Sequence, residues 1–226
     1  MPAGKAIFVT ATDTSAGKTF VATLLARVFR ERGLKVGVMK PVETGCPLKE
    51  DSLFPEDTFR LIEASGFSAP LEVVNPYRFS EPLAPTVAAR LNGVKIEPEV
   101  IENSFERIRG LTDITIVEGA GGIAVPLCEG LTMGGLAKRL GLGVVVVVPQ
   151  RLGCINHTLL TTEYAHSLGL DLKGVVLNHV EKESDPSTPY NRGELERLGV
   201  KIIGELPHIK GERLPDEIYT IATFLL

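Results

Sequence analysis

The stretch Ala11-Thr12-Asp13-Thr14-Ser15-Ala16-Gly17-Lys18-Thr19 constrains this chain more than any other feature, because it follows a short apolar run directly and precedes a helix-length amphipathic segment. A loop ending Gly-Lys-Thr between a buried strand and a helix aims successive backbone N–H groups and a helix N-terminus at one point, which suits the phosphates of a nucleotide. Lys18 is then expected to neutralise the β- and γ-phosphates, and the Thr19 hydroxyl to hold magnesium. Such loops usually begin with glycine. Here that position is Ala11, so the turn has to be made with an ordinary φ.

The rest of the chain agrees with that start. Near-continuous apolar runs at Ala6 to Thr10, Lys35 to Met39, Ile114 to Val117, Val144 to Val148, Gly174 to Leu177 and Lys201 to Ile203 predict strands buried on both faces. Helices are expected between them: Thr19 to Arg32, stopped by Gly33; Pro55 to Ala64, with Glu56 and Asp57 in its first turn; Ala84 to Leu91; Glu99 to Arg109; and Asn156 to Leu168. This alternation is the α/β class, with a mostly parallel twisted sheet covered by helices on both faces, as in P-loop nucleotide-hydrolase folds. Glu183 to Gly193, rich in Ser, Pro, Asp and Gly, reads as an exposed excursion before one more helix and strand. At 226 residues and 44% hydrophobic content, one domain spanning 1–226 is the expectation.

Composition narrows the partners. A formal net charge of −4 without a run of like charge argues against nucleic acid and acidic membrane surfaces. The N-terminal residues show neither a leader pattern nor a membrane span, so a cytoplasmic protein is expected. Cys46, Cys128 and Cys154 lack metal-ligand spacing and read as reduced structural thiols.

Two further strand ends carry chemistry. The run Ile114 to Val117 ends in Glu118-Gly119-Ala120-Gly121-Gly122, where ligands bind in open α/β sheets. Glu118 is therefore either a second magnesium contact or an acid that caps a strand for solubility. Asp57 is likewise a further metal oxygen or a first-turn acid favouring the helix dipole. Val36 to Met39 ends in Lys40-Pro41, and a parallel neighbour would put Lys40 at the phosphate edge, the alternative being a lysine reaching out of a strand end. Thr44, in the Glu43-Thr44-Gly45 turn, adds a hydroxyl nearby. The expectation on which the others depend is that three neighbouring strand ends bring Lys18, Lys40 and Glu118 together.

In order along the chain, TDTSAGKT, KPVETG, NPYRFSEPLAP at 75–85, VEGAGG, LGCINHTLLT at 152–161 and GELP at 204–207 closely resemble the dethiobiotin synthetase family. The resemblance implies a homodimeric ATP- and Mg2+-dependent ligase that closes a cyclic urea from 7,8-diaminopelargonate and CO2 or bicarbonate. A carbamate would form, be phosphorylated by ATP, and be displaced by the second amine. It implies that Thr14, Lys18, Lys40 and Thr44 surround the carbamate and phosphoryl group, with Lys40 the foremost catalytic residue, while Thr19, Asp57 and Glu118 serve the metal. The nucleotide would lie along Ser15, Ala16, Gly17, Lys18, Thr19 and Phe20, against Glu118, Gly119, Ala120 and Gly121. Asn178 matches the family's adenine-reading residue, and Pro207, His208 and Ile209 the segment lying against the base.

By the same resemblance, Gly153, Cys154, Ile155 and Asn156 open a helix that receives the substrate carboxylate at a subunit interface, and Tyr190 reaches across from a neighbouring subunit. Cys154 and His157 are then no nucleophile pair, since no third member is recognisable. Two rivals fare worse. Amide-forming ligases of corrin precursors carry an amidotransferase domain for which the chain has no room, and switch ATPases of the partition or site-selection type place a second lysine where this loop has Thr12.

Overall fold

A computed structural model of the chain describes residues 4–183, 185–209 and 214–226. In chain order the elements are β1 Lys5–Ala11, α1 Lys18–Glu31, β2 Val36–Met39, β3 Val42–Thr44, β4 Leu48–Lys49, β5 Ser52–Leu53, α2 Glu56–Ser65, α3 Leu71–Val74, β6 Tyr77–Phe79, α4 Pro85–Leu91 and α5 Pro98–Arg109. They continue with β7 Ile114–Glu118, β8 Pro126–Cys128, β9 Leu131–Thr132, α6 Met133–Arg139, β10 Gly143–Pro149, α7 Cys154–Ser167, β11 Leu172–Asn178, α8 Thr188–Arg197, β12 Ile202–Leu206 and α9 Asp216–Leu225.

Six strands form one sheet in the order β12-β11-β10-β1-β7-β2, and every pairing within it is parallel. Each predicted strand is present, with ends shifted by a few residues. β10 explains why the apolar runs do not alternate: all seven of its residues are buried. Val144, Val146 and Val148 enter one core with Phe8, Phe105, Ile108 and Leu136, whereas Val145 and Val147 enter a second core with Val21, Leu25, Phe29, Leu61 and Ile221. Helices α5, α6 and α7 thus cover one face, and α1, α2 and α9 the other.

Local chemistry sets the element ends as expected. Gly33 follows α1 at φ 80°, the left-handed conformation that stops a helix without a Cβ penalty. Ala11 closes β1 in the extended state, paired with Val147, so alanine serves where glycine is usual. Two expectations need correction. Glu43 and Thr44 belong to β3, which pairs in parallel with β6, and the turn comes only at Gly45.

The excursion expected over Glu183 to Gly193, of which Ser184 lies outside the described residues, becomes helix from Thr188 onward. Asp185 Oδ1 accepts from the backbone N–H and hydroxyl of Ser187, and Pro189 fits the first turn, where no N–H is needed. Asn191 is buried and donates to Gln150 Oε1 at 3.0 Å, which fixes α8 against β10. The polar composition that suggested a loop is therefore a helix start followed by an inward hydrogen bond. No described helix is long and apolar enough to cross a membrane.

Candidate active site

Parallel pairing sends the carboxyl ends of neighbouring strands to one edge of the sheet. Val9 is in register with Glu118 and Met39 with Val117, so β1, β7 and β2 release the phosphate loop, Glu118 and Lys40 side by side. Lys18, Lys40 and Glu118 converge there, as the sequence reading required. They line a cavity of about 430 Å³ with Thr14, Ser15, Gly17, Thr19, Phe20, Thr44, Asp57, Ala120 and Gly121.

The loop backbone is shaped for close approach. Ser15 at φ 61° and Gly17 at φ 90° are both left-handed, and α1 starts at Lys18 without a side-chain cap, leaving its first N–H groups directed at the cavity. A Cβ on Gly17 would sit 2.2 Å from Asn178 Nδ2, so Gly17 is required both by its φ and by the side chain behind it. Asn178 Nδ2 donates to the Ala16 carbonyl at 2.9 Å, while its Oδ1 is a buried acceptor without a partner. Asn178 thereby ties β11 to the loop. An amide oxygen of this kind can take a base amine.

The charged centre is dense. Lys40 Nζ forms a buried ion pair with Glu118 Oε1 and a second pair with Asp57 Oδ2 at 3.1 Å. Thr19 Oγ1 donates to Glu118 Oε1 at 2.7 Å, and Glu118 Oε2 is buried without a partner. Burial works against the Lys40 ammonium, but Glu118 and Asp57 outweigh it and hold the group firmly protonated. Burial and then the neighbouring Lys40 push Lys18 below its ordinary range. For Asp57, burial alone would raise the carboxyl, yet Lys40 brings it below the usual range. Buried ion pairs add little to stability, because desolvation cancels most of their attraction. Concentrating them at a strand edge suits the handling of a charged ligand.

Among the described residues no group of three or more His, Cys, Asp or Glu is arranged to hold a metal ion. The set actually present, one hydroxyl and two carboxylates beside an orphaned Glu118 oxygen, suits a hard cation that completes its shell with water and phosphate, as magnesium does.

Other expected residues fall outside this cavity. A second cavity of about 410 Å³ is lined by Ser15, Pro149, Gln150, His179 and Val180 on the far side of the loop. The strip Pro207, His208 and Ile209 adjoins it: a ring nitrogen of His208 lies 2.9 Å from the Val180 carbonyl, so this histidine has a structural bond beyond shape alone. Gly119 packs under Phe8, where a Cβ would meet the ring at 3.0 Å.

Gly153, Cys154, Ile155, Asn156 and Tyr190 do not line the phosphate cavity of the same chain. Cys154 is buried, Asn156 is exposed and Tyr190 is 74% exposed. A groove of about 450 Å³ runs from Thr12, Asp13 and Thr14 past Gly122 to Leu160, Thr161 and Tyr164 on the flank of α7. Sequence reasoning missed the Asp13–Arg151 ion pair at 3.0 Å, which clamps the phosphate loop to the β10–α7 connection, and Arg60, which joins the cavity lining one turn after Asp57. The Asp57-to-Arg60 spacing on one helix face was the available signal for the latter.

The chain matches a family model described as an AAA domain over residues 5–212. The ATP-dependent dethiobiotin synthetase BioD of Anaeromyxobacter dehalogenans (strain 2CP-C) is 43% identical over 194 residues, covering 86% of this chain and 85% of the relative. The protein of the same name from Bacillus subtilis (strain 168) is 38% identical over 206 residues, covering 91% of this chain and 88% of the relative. Among solved structures, the septum site-determining protein MinD complexed with Mg-ADP from Pyrococcus horikoshii OT3 superposes with a TM-score of 0.62 at 14% identity, covering 97% of this chain and 94% of that one. MinD from Aquifex aeolicus gives 0.61 at 15% identity, covering 98% and 97%. Likeness at that identity is a likeness of fold, the P-loop nucleotide-hydrolase architecture, and says nothing of activity.

Proposed function

The chain belongs to the ATP-dependent dethiobiotin synthetase family, and from that premise we propose that it closes the cyclic urea of dethiobiotin from 7,8-diaminopelargonate and CO2. One amine of the substrate adds to CO2 and loses a proton, giving a carbamate. A carbamate oxygen attacks the γ-phosphorus of ATP and ADP leaves, so a carbamic–phosphoric anhydride results. The second amine then attacks the carbonyl carbon, the C–O bond to phosphate breaks, and inorganic phosphate departs as the ring closes.

The convergence of Lys18, Lys40 and Glu118 at the ends of α1's loop, β2 and β7 is the observation that carries this reading. Phosphoryl transfer needs alignment and charge neutralisation rather than a protein nucleophile, and the cavity is rich in ammonium and N–H groups. Lys18 takes the β- and γ-phosphate charge, Lys40 stabilises the transferring phosphoryl group and the carbamate, and Thr14 and Thr44 orient the carbamate. Thr19, Asp57 and Glu118 would hold magnesium, which when bound offsets phosphate charge. Asn178 reads the base, with Pro207 to Ile209 against it.

The substrate carboxylate is assigned to the N–H groups that open α7, from Gly153 to Asn156, in a homodimer. Leu152, Leu160 and Tyr190, exposed at 78%, 64% and 74% just before α7, on α7 and on α8, are the side chains such a pairing would cover. The free thiols at Cys46, Cys128 and Cys154 fit the reducing cytoplasm.

The test is coupling. ADP should appear only when diaminopelargonate and bicarbonate are both present, measured by a coupled ADP assay. Steady hydrolysis indifferent to both would instead mark a nucleotide switch rather than a synthetase.

A further inference from the structure

Glu43 has no part in the reading above, yet its surroundings are among the most fully built in the molecule. It lies in β3, is 6% exposed, and borders the phosphate cavity. Its Oε1 accepts from the Asp57 backbone N–H at 2.9 Å, and its Oε2 accepts from the Thr58 backbone N–H at 3.0 Å and the Thr58 hydroxyl at 2.6 Å. These N–H groups belong to the first turn of α2, whose own N-cap is Pro55 and supplies no side-chain bond. A carboxylate brought from another strand therefore does the work that Ser, Thr or Asp does locally in most helices.

The consequence reaches the charged centre, because the residue held by its own amide is Asp57. Glu43 stands three positions after Lys40, in a segment fixed twice over. Asn75 Nδ2 donates to the Lys40 carbonyl at 2.7 Å, and Glu43 is in parallel register with Arg78 on β6. One short stretch of backbone thus carries the Lys40 ammonium and, through Glu43, sets where the Asp57 carboxylate meets it.

We propose that Glu43 is a positioning residue for the cation site: it anchors the first turn of α2 so that Asp57 is presented beside Lys40 and Glu118. The inference rests on the reading of Asp57 as a metal contact. Residues that orient a metal ligand commonly account for tenfold or more in affinity without touching the metal.

Mn2+ binding to the ADP complex, followed by electron paramagnetic resonance, tests this without turnover, alongside melting temperature. Glu43→Ala should weaken Mn2+ by about tenfold, Asp57→Asn by at least as much, and the double variant no more than Asp57→Asn alone. If Glu43→Ala lowers only the melting temperature while Mn2+ affinity holds, Glu43 is a helix anchor and the inference falls. An additive loss in the double variant overturns it too, since Glu43 would then act independently of Asp57. Unchanged Mn2+ binding in Asp57→Asn would remove the underlying reading instead. Should Glu43→Ala not fold, Glu43→Gln keeps one acceptor oxygen and must still show a smaller weakening, absent when combined with Asp57→Asn.

Discussion

The two ends of the substrate path are built differently. At the phosphate end Lys18, Lys40 and Glu118 are all buried, Lys40 is paired with Glu118, and three adjacent strands of one chain bring them together. At the α7–α8 end the named residues are spread over a surface: Asn156 and Tyr190 are exposed, and Leu152 beside them is 78% exposed. The difference teaches that the charge-handling half draws its residues from one chain, whereas the half assigned to the substrate tail, on the proposed reading, would need a second copy to cover it. Such a division is physically sensible. Transition-state charge needs a preorganised, water-poor site, while a carboxylate can be captured by helix N–H groups at an interface.

The largest test strikes the phosphate end. Lys18→Ala and Lys40→Ala should each lower turnover by about a hundredfold or more, as loss of aligned positive charge does. ADP binding, measured by calorimetry, should suffer more from the first than from the second. Near-normal turnover in both variants would erase the distinction between the two ends.

A smaller effect is expected from Leu152→Lys, which puts a charge on the exposed apolar side. If the proposed homodimer forms, light scattering should show a shift from dimer to monomer, and KM for the diamine should rise by about tenfold, the equivalent of about 1.4 kcal/mol. ADP affinity should not move. A parallel loss of ADP affinity would mean that the nucleotide end also depends on the interface, which breaks the comparison from the other side.

The thiols give the mildest probe. Burial, with Glu43 next in effect, pushes the Cys46 thiol up to about 11, and burial raises Cys154 as well. Both should react slowly with a thiol reagent at pH 8, because the thiolate is the reactive form. Rapid labelling of Cys154 alone, read by mass spectrometry, would report opening of the α7 end while the phosphate end stays closed.

Much of this molecule was legible in its sequence. The valines of β10 specify a strand buried on both faces, and the Gly-Lys-Thr ending between β1 and α1 specifies a phosphate loop, because both signals are local. Where the signal was long-range the reading failed. Thr188 to Gly193 looked like loop because its composition is polar, and the inward packing of the helix it starts, with Asn191 bonded to Gln150 41 positions away and Leu195 buried, is not visible locally. Glu43 drew no notice for the same reason: nothing near it in sequence announces a partner 14 or 15 residues on.

The sequence by itself determined the chemical vocabulary: which strand ends carry lysine or carboxylate, which turn has to be glycine, and which family the ordered motifs resemble. Tertiary structure alone decided that β1, β7 and β2 are neighbours, and hence that Lys40 meets Glu118 across 78 positions and Asp57 across 17. The reason is that a parallel sheet delivers every strand's carboxyl end to one edge, while the order of strands along that edge is set by how the helices pack on its two faces. No local pattern encodes that order.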